Sequence, residues 1–290
     1  MKKSRKLATL GICSALFLGL AACQQQHATS EGTNQRQSSS AKVPWKASYT
    51  NLNNQVSTEE VKSLLSAHLD PNSVDAFFNL VNDYNTIVGS TGLSGDFTSF
   101  THTEYDVEKI SHLWNQKKGD FVGTNCRINS YCLLKNSVTI PKLEKNDQLL
   151  FLDNDAIDKG KVFDSQDKEE FDILFSRVPT EATTDVKVHA EKMETFFSQF
   201  QFNEKARMLS VVLHDNLDGE YLFVGHVGVL VPAADGFLFV EKLTFEEPYQ
   251  AIKFASKEDC YKYLGTKYAD YTGEGLAKPF IMDNDKWVKL

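Results

Sequence analysis

The chain has 290 residues, of which 41% are hydrophobic and 11% aromatic, and its formal net charge at pH 7 is −8. Such a composition can bury a sizeable core. An acidic chain without a basic cluster is a poor candidate for nucleic-acid binding. Beyond the N-terminal segment, no apolar run is long enough to span a bilayer.

The first residues have the form of an export signal. Residues 1–6 carry four cationic side chains, and residues 7–22 are almost wholly apolar or small. This stretch has the length of a signal-peptide core and is shorter than the roughly 20 residues of a spanning helix. It ends in Leu-Ala-Ala-Cys, which resembles the lipobox of bacterial lipoproteins. We predict a lipoprotein signal peptide over residues 1–22 and lipidation of Cys23; the alternatives are an ordinary signal peptide cut elsewhere and an uncleaved anchor helix.

The segment that follows is predicted to be a tether. Residues 24–41 contain no large apolar side chain, so burial cannot offset the entropy that ordering would cost. We predict a lipidated flexible tether over residues 23–43 and a single domain over residues 44–290. The lipid would hold this domain on the extracytoplasmic face of the cell membrane, because two or more acyl chains anchor firmly.

The cysteines bear on both compartment and chemistry. Once Cys13 has left with the signal peptide and Cys23 is lipidated, Cys126, Cys132 and Cys260 are left. An odd number means at least one free thiol. On one helix, the first two would have Cα atoms about 9 Å apart, which is too far for a disulfide. Whether Cys260 is paired stays open.

Helical periodicity dominates the N-terminal half. A capping-box pattern predicts a helix that begins at Ser57, and Pro71 ends that helix. Residues 153–160 resemble a calcium loop superficially, but Ile157 and Asp158 stand where an oxygen ligand and a glycine belong, so we predict a solvated surface there. The other predicted helices cover residues 73–84, 106–114, a segment after Asn125, 166–175 and 186–200.

The C-terminal third predicts an antiparallel meander. Residues 208–214, 221–231 and 237–243 are rich in Val, Phe and Leu and are separated by Asp-Gly turns. Residues 249–254 can add a strand, and Ser256 begins a helix. Helices followed by a sheet predict an α+β fold in which an N-terminal helical half packs on a C-terminal antiparallel sheet.

Three residues suggest a reactive site. Cys126 is predicted just ahead of a helix, whose first N–H groups stabilise a thiolate and an oxyanion. His226 lies inside an apolar strand between Gly225 and Gly228, which we expect to leave room for a group to approach the ring. Glu241 lies in the next strand. A four-residue loop over residues 233–236 would put the last two on one face of the sheet; a three-residue loop would put them on opposite faces.

A thiolate, an imidazole and a carboxylate are the groups that acyl transfer through a covalent intermediate requires. Their order along the chain resembles the papain-like superfamily, and the segment HVGVLV with its apolar return strand is similar to the histidine hairpin of NlpC-type cell-wall peptidases and amidases. The resemblance implies a papain-like fold with Cys126 as nucleophile, His226 as base and then acid, Glu241 as orienter, and Asn125 or the Cys126 N–H facing the oxyanion. Arg127 departs from this pattern, since an aromatic residue is expected there, and so does a Glu as third member.

Each of these residues also has a structural interpretation. Cys126 can be a buried core cysteine and His226 a hydrogen-bonded core residue. His214-Asp215 is a rival pair, although a His-Asp pair at a turn is usually solvated. Glu241 can pair at a sheet edge with one of three cations: Lys242, Lys253 and Arg127.

The segments TNCRINSYCLL and FVEKLTFEEPYQAIKF resemble an uncharacterised family of Gram-positive lipoproteins that is known only as a domain of unknown function. This likeness implies a surface location and no particular activity. We expect a cysteine-dependent amide hydrolase or acyl transferase that acts outside the membrane, with cell-wall peptide as the nearest polymer and with no metal or cofactor. The alternative is a non-catalytic surface lipoprotein that binds a ligand or a protein. A solute-binding lipoprotein is disfavoured because the βαβ repeats of two-lobed binders are absent from the pattern.

Overall fold

A computed structural model of the chain describes residues 46–100 and 103–290. The predicted signal peptide, Cys23, the tether and the first two residues of the predicted domain lie outside these ranges. Within them, no helix is long and apolar enough to cross a membrane.

The predicted α+β architecture is confirmed: the N-terminal half is mainly helical, and a mostly antiparallel sheet follows in the C-terminal half. The predicted meander and its added strand form the centre of the sheet. The sequence patterns missed the strands at either end of the domain. The strands are β1 (Ala47–Thr50), β2 (Thr98–Ser99), β3 (Val138–Thr139), β4 (Val178–Pro179), β5 (Gln201–Phe202), β6 (Arg207–Asp215), β7 (Tyr221–Ala233), β8 (Gly236–Lys242), β9 (Tyr249–Phe254), β10 (Phe280–Asp283) and β11 (Lys286–Val288).

The main sheet has the strand order β11-β10-β6-β7-β8-β9-β1-β2, with β4 paired to one end of β7. Every pairing between these strands is antiparallel. β1 pairs with β9, so the first and last parts of the domain complete one sheet. In the β7–β8 hairpin, Pro232 pairs with Phe237, which confirms the register that the four-residue loop predicts.

Seven of the eight α-helices in the described residues begin next to a side chain that caps them. Asn54, rather than the capping box at Ser57, is the cap of the first helix, and its side chain accepts the Ser57 N–H at 2.9 Å. Pro71 is the first residue of the second helix, where its missing N–H costs nothing. The helices are α1 (Gln55–Ser66), α2 (Pro71–Val88), α3 (Val107–Lys118), α4 (Cys126–Leu134), α5 (Phe151–Gly160), α6 (Ser165–Leu174), α7 (Val186–Phe197) and α8 (Lys257–Lys267).

The sheet is covered on both faces. The helices of the N-terminal half bury one face in a large core that includes Leu238 and Val240 of β8. On the other face, α8 packs against a smaller core that includes Phe239. Because successive side chains of a strand alternate between faces, Glu241 shares the α8 face with Phe239, and Lys242 lies on the opposite face.

Candidate active site

The first turn of α4 places Cys126 at the start of a helix. Asn125 has an extended conformation, with φ −109° and ψ −170°, and its side-chain oxygen accepts the N–H of Ile128 at 3.1 Å. This cap makes Cys126 the first helical residue. Its N–H has no partner within the helix, since the first N–H groups of a helix never do. The thiol therefore lies at the positive end of the helix dipole.

A gap in the sheet receives this end of α4. β7 begins at Tyr221, but its pairing with β8 reaches only as far as Val229. Beyond that point, the side chains of α4 satisfy carbonyl groups of β7: Arg127 Nη1 donates to Val224 O at 3.0 Å, and Ser130 Oγ donates to Val227 O at 3.2 Å. The helix start thus lies beside the stretch of β7 that carries His226.

His226 and Glu241 form a buried hydrogen-bonded pair. The distance between His226 Nε2 and Glu241 Oε2 is 2.6 Å, and each residue is 1% exposed. A carboxylate only accepts hydrogen bonds, so Nε2 carries the proton and Nδ1 is left for Cys126. The other carboxylate oxygen accepts the Tyr263 hydroxyl at 2.5 Å and lies 3.6 Å from Lys267 Nζ. The structure therefore fixes one ring orientation for His226.

The three groups shift one another's acidity. Burial alone raises the pKa of the Glu241 carboxyl, but the charge of Lys267 and the hydrogen bond from His226 outweigh burial and lower that pKa to about 2. Burial likewise raises the pKa of the Cys126 thiol, whereas the charge of His226 and its hydrogen bond to the thiol lower that pKa below its usual value. For His226, burial lowers the pKa, and the thiolate and the carboxylate raise it above its usual value. These opposite shifts favour a thiolate–imidazolium pair.

The other two thiols of the domain lack such partners. Cys126, Cys132 and Cys260 are all free and buried, so Cys260 forms no disulfide with either of the other two cysteines in the described residues. Burial raises the pKa of Cys132 to about 12, and it raises the pKa of Cys260 well above its usual value. Cys126 is thus the one thiol of the described domain whose surroundings favour the thiolate.

Asp153 is a site residue that sequence reasoning missed. The prediction of a solvated surface over residues 153–160 is wrong for much of the segment, because Asp153, Ala156 and Ile157 of α5 are buried. The Asp153 carboxylate accepts two hydrogen bonds from Arg127, at 2.9 and 2.7 Å, and one from Asn125 Nδ2 at 2.7 Å. A cation follows Cys126 in the sequence because Arg127, in α4, binds both the Asp153 carboxylate of α5 and the Val224 carbonyl of β7. The amide of Asn125 contacts this carboxylate, so the Cys126 N–H is the better-placed donor for an oxyanion.

The other predicted partners of Glu241 are engaged elsewhere. Lys253 pairs with Glu60, and Arg127 pairs with Asp153. Lys242 is buried beneath the β8–β9 connection, where its Nζ donates to the carbonyl oxygens of Thr244 at 2.7 Å, Phe245 at 3.1 Å and Glu247. Burial lowers the pKa of Lys242 to about 7. A buried lysine inside an apolar strand is a signal that sequence reasoning overlooked.

The rival histidine belongs to a separate cluster. His214 is buried rather than solvated, and its Nε2 lies 2.7 Å from Glu220 Oε2, not beside Asp215. Its Nδ1 accepts the Ala277 N–H at 3.1 Å, and its ring lies 4.4 Å from that of His189. Among the residues that the structure describes, no group of three or more His, Cys, Asp or Glu side chains is arranged to hold a metal ion.

The two glycines that flank His226 do not open a path to its ring. A Cβ on Gly225 would lie 2.3 Å from Leu213 Cδ1, and one on Gly228 would lie 2.3 Å from Phe239 Cζ. The expectation of free space there is therefore wrong, and the glycines permit close packing instead. Tyr268, which follows α8, stacks on His226 with ring centroids 4.9 Å apart. Cys126 is 5% exposed, so the site is nearly closed.

Comparison with known proteins gives one match. A family model described as a domain of unknown function, DUF4300, matches residues 48–288. No curated protein matches the chain, and neither does any solved structure.

Proposed function

We propose that this chain, which belongs to the DUF4300 family, is a cysteine-dependent amide hydrolase or acyl transferase with a papain-like, NlpC-type organisation. One observation carries the proposal. Cys126 at the start of α4, His226 in β7 and Glu241 in β8 form one hydrogen-bonded series, with the two ring nitrogens of the histidine facing the other two groups. This is the order of nucleophile, base and orienter that covalent acyl transfer requires.

The geometry supports the following steps. The Cys126 thiolate attacks the carbonyl carbon of an amide, and the Cys126 N–H donates to the oxyanion of the tetrahedral intermediate. The His226 imidazolium then gives its Nδ1 proton to the departing amine, so the C–N bond breaks and a thioester is left on Cys126. Water or an acceptor amine, deprotonated by His226, releases the acyl group. Glu241 keeps Nε2 protonated throughout, since its carboxylate accepts that hydrogen bond at 2.6 Å.

We further propose that the enzyme acts outside the membrane. The lipobox-like segment that ends at Cys23 supports a lipid anchor on the extracytoplasmic face. Peptides of the cell wall are then the nearest amide polymer. Mass spectrometry of the mature N-terminus tests the anchor: a chain that begins at a diacylated Cys23 is expected, and an unlipidated chain that begins elsewhere contradicts it.

A second candidate function rests on the closure of the site. With Cys126 5% exposed and Tyr268 stacked on His226, the same constellation can serve as the rigid base of a non-catalytic binding protein. That alternative predicts a thiol that reagents do not reach in the folded state and a Cys126→Ala variant that keeps full function.

The rate of Cys126 alkylation by iodoacetamide as a function of pH tests the proposal. The chain carries Cys132→Ser and Cys260→Ser, so one thiol of the domain reacts. We expect an apparent pKa below the free value of about 8.5. In His226→Asn, that pKa should rise toward 8.5. The matched control is His214→Asn, which removes the other hydrogen-bonded His–Glu pair and should leave the profile unchanged.

Near-UV circular dichroism shows whether each variant is folded. A thiol that reacts only after unfolding in urea overturns the enzyme proposal in favour of the binding protein. An activated thiol justifies a screen of muropeptides and other amides. In that screen, Cys126→Ala should abolish turnover while the fold is unchanged, and full turnover in this variant ends the proposal.

A further inference from the structure

A cavity of about 180 Å³ lies between α3 and the β8–β9 connection. Most of its lining residues are aromatic or apolar, among them Trp114, Tyr84, Phe245 and Val122. Pockets that hold a whole small molecule usually measure about 300 Å³ or more. The volume therefore suits one side chain of a larger ligand rather than a complete ligand.

A second cavity is lined by residues that lie close to Cys126 in the chain. This smaller cavity, of about 20 Å³, shares Tyr84 and Trp114 with the larger one and is lined further by Gly123 and Thr124. An extended chain spans at most about 3.6 Å per residue, so the Cα of Thr124 lies within about 7 Å of that of Cys126. One or two residues of a bound peptide can bridge that distance. The two cavities share two walls and together make up a recess, one of whose lining residues lies two positions before the proposed nucleophile.

The walls of the recess are held in place by partly buried hydrogen bonds. Trp114 Nε1 donates to Phe121 O at 2.6 Å, which fixes the indole, and the Tyr84 hydroxyl donates to the carbonyl of Glu246. Lys242 donates to Phe245 O at 3.1 Å and holds the β8–β9 connection from below. Because the indole N–H and the Tyr84 hydroxyl are already hydrogen-bonded, the apolar surfaces of these two rings are available for a ligand.

Gly123 lets the chain pass directly beneath the indole. Its φ is +90°, which side-chain-bearing residues rarely adopt. A Cβ at this position would lie 3.2 Å from Trp114 Cζ2 and 3.6 Å from Phe245 O. The glycine therefore lets the chain pack closely against the indole just before Thr124.

We infer that this recess, the Trp114 recess, is the substrate subsite that receives a neutral apolar or aromatic side chain on the acyl side of the scissile amide. The inference rests on the proposed function and adds a substrate class to it. The exposed carboxylate of Glu246 lines the mouth and disfavours anionic side chains there. The substrate class is thus a peptide with an apolar or aromatic residue one or two positions before the bond that is cut.

Alkylation of Cys126 by three dipeptide chloromethyl ketones tests the subsite. The probes are acetyl-Phe-Gly, acetyl-Gly-Phe and acetyl-Gly-Gly chloromethyl ketone, each of which forms a thioether as chloride leaves. We expect one of the two Phe probes to react at least tenfold faster than the Gly-Gly probe. Ser111→Trp, which fills the larger cavity from α3, should reduce this ratio to about one. His112→Trp adds the same side chain to the exposed face of α3 and should preserve the ratio.

Labelling with iodoacetamide distinguishes a failure of the subsite inference from a failure of the proposed function. If Cys126 reacts with iodoacetamide in the folded chain but all three ketones react at equal rates, the subsite is overturned and the proposed function stands. If Cys126 reacts with neither class of reagent, the proposed function fails and the inferred role of the recess fails with it.

A second measurement does not depend on the thiol. In a Cys126→Ala chain with Trp45→Phe and Trp287→Phe, N-acetyl-phenylalaninamide should change the emission of Trp114 in a saturable manner. Ser111→Trp is unsuitable in this assay because it adds a fluorophore, so Ser111→Phe replaces it and should abolish the change. Emission that is unaltered by the ligand in the chain with Ser111 overturns the subsite.

Discussion

Gly228→Ala should destabilise the domain by overpacking the contact between β7 and β8. The new Cβ would lie 2.3 Å from Phe239 Cζ, 2.6 Å from Cε2 and 2.8 Å from Val240 O. Ordinary contact begins near 3.4 Å, so the methyl group must retreat by about 1 Å from the ring and by about half that from a backbone carbonyl. Overpacking of a well-packed core costs about 1–3 kcal/mol. We expect the upper end, since the carbonyl belongs to the paired strand and cannot rotate away.

Urea unfolding at pH 7 measures this cost, and thermal unfolding gives a second estimate. A loss of about 3 kcal/mol corresponds to a fall in the melting temperature of roughly 6–12 °C for a domain of this size. Because the hairpin also sets the distance between His226 and Glu241, alkylation of Cys126 should slow in the same variant. The matched control is Gly273→Ala, whose Cβ would meet only Leu276 Cδ1 at 3.5 Å. Its stability should be unchanged within about 0.5 kcal/mol.

A double variant distinguishes the contribution of the Phe239 ring to this destabilisation from that of the Val240 carbonyl. Phe239→Leu shortens the side chain that Gly228→Ala would strike, so the combined variant should be less destabilised than the sum of the two single changes. Additive losses would mean that the ring is not the obstacle. If Gly228→Ala alone is as stable as the wild-type chain, the hairpin is looser than these distances require, and the packing argument is refuted.

Three further predictions concern the surroundings of the thiol. Arg127→Met leaves the carboxylate of Asp153 buried without its cation and should lower the free energy of unfolding in urea by about 3 kcal/mol. Adding Asp153→Leu to this variant should restore much of that stability. Equal losses in the single and the double variant would refute a buried ion pair. Tyr268→Leu removes the ring stacked on His226 and should speed iodoacetamide labelling of Cys126 severalfold; an unchanged rate would mean that Tyr268 does not control access. Cys132 and Cys260, whose pKa values are raised by burial, should be labelled only after unfolding. Mass spectrometry of the folded domain should therefore find rapid labelling at Cys126 alone.

Local patterns predicted most of the architecture. Alternation and Asp-Gly turns located β6, β7 and β8, and the observed hairpin register is the one given by the first of the two loop lengths considered, the four-residue loop. In that register, the alternation of side chains places His226 and Glu241 on the same face of the sheet. β1, by contrast, has four residues and pairs with β9, about 200 positions away. A strand this short carries too little periodicity for a sequence pattern to detect it.

Sequence reasoning failed where partners come from distant elements. Asp153 resembled part of a charged, solvated run, and only its contacts with Arg127 and Asn125 show why it is buried. The pattern that starts a helix at Ser256 assigns no role to Tyr263 or Tyr268, whereas in the structure Tyr263 donates to Glu241 and Tyr268 stacks on His226. Gly225 and Gly228 suggested open space because sequence alone does not show which neighbouring side chain fills it.

The docking of α4 into the gap beside β7 also bears on when the thiol becomes reactive. Cys126 precedes His226 by 100 positions and Glu241 by 115 positions in the chain. In the unfolded chain, the thiol therefore has neither neighbour and retains its ordinary acidity. Contacts between residues so far apart form late, because the loop between them must be closed first. Under the proposed mechanism, Cys126 acquires its activating neighbours only when β7 and β8 are in place, so its labelling rate should rise as these strands form.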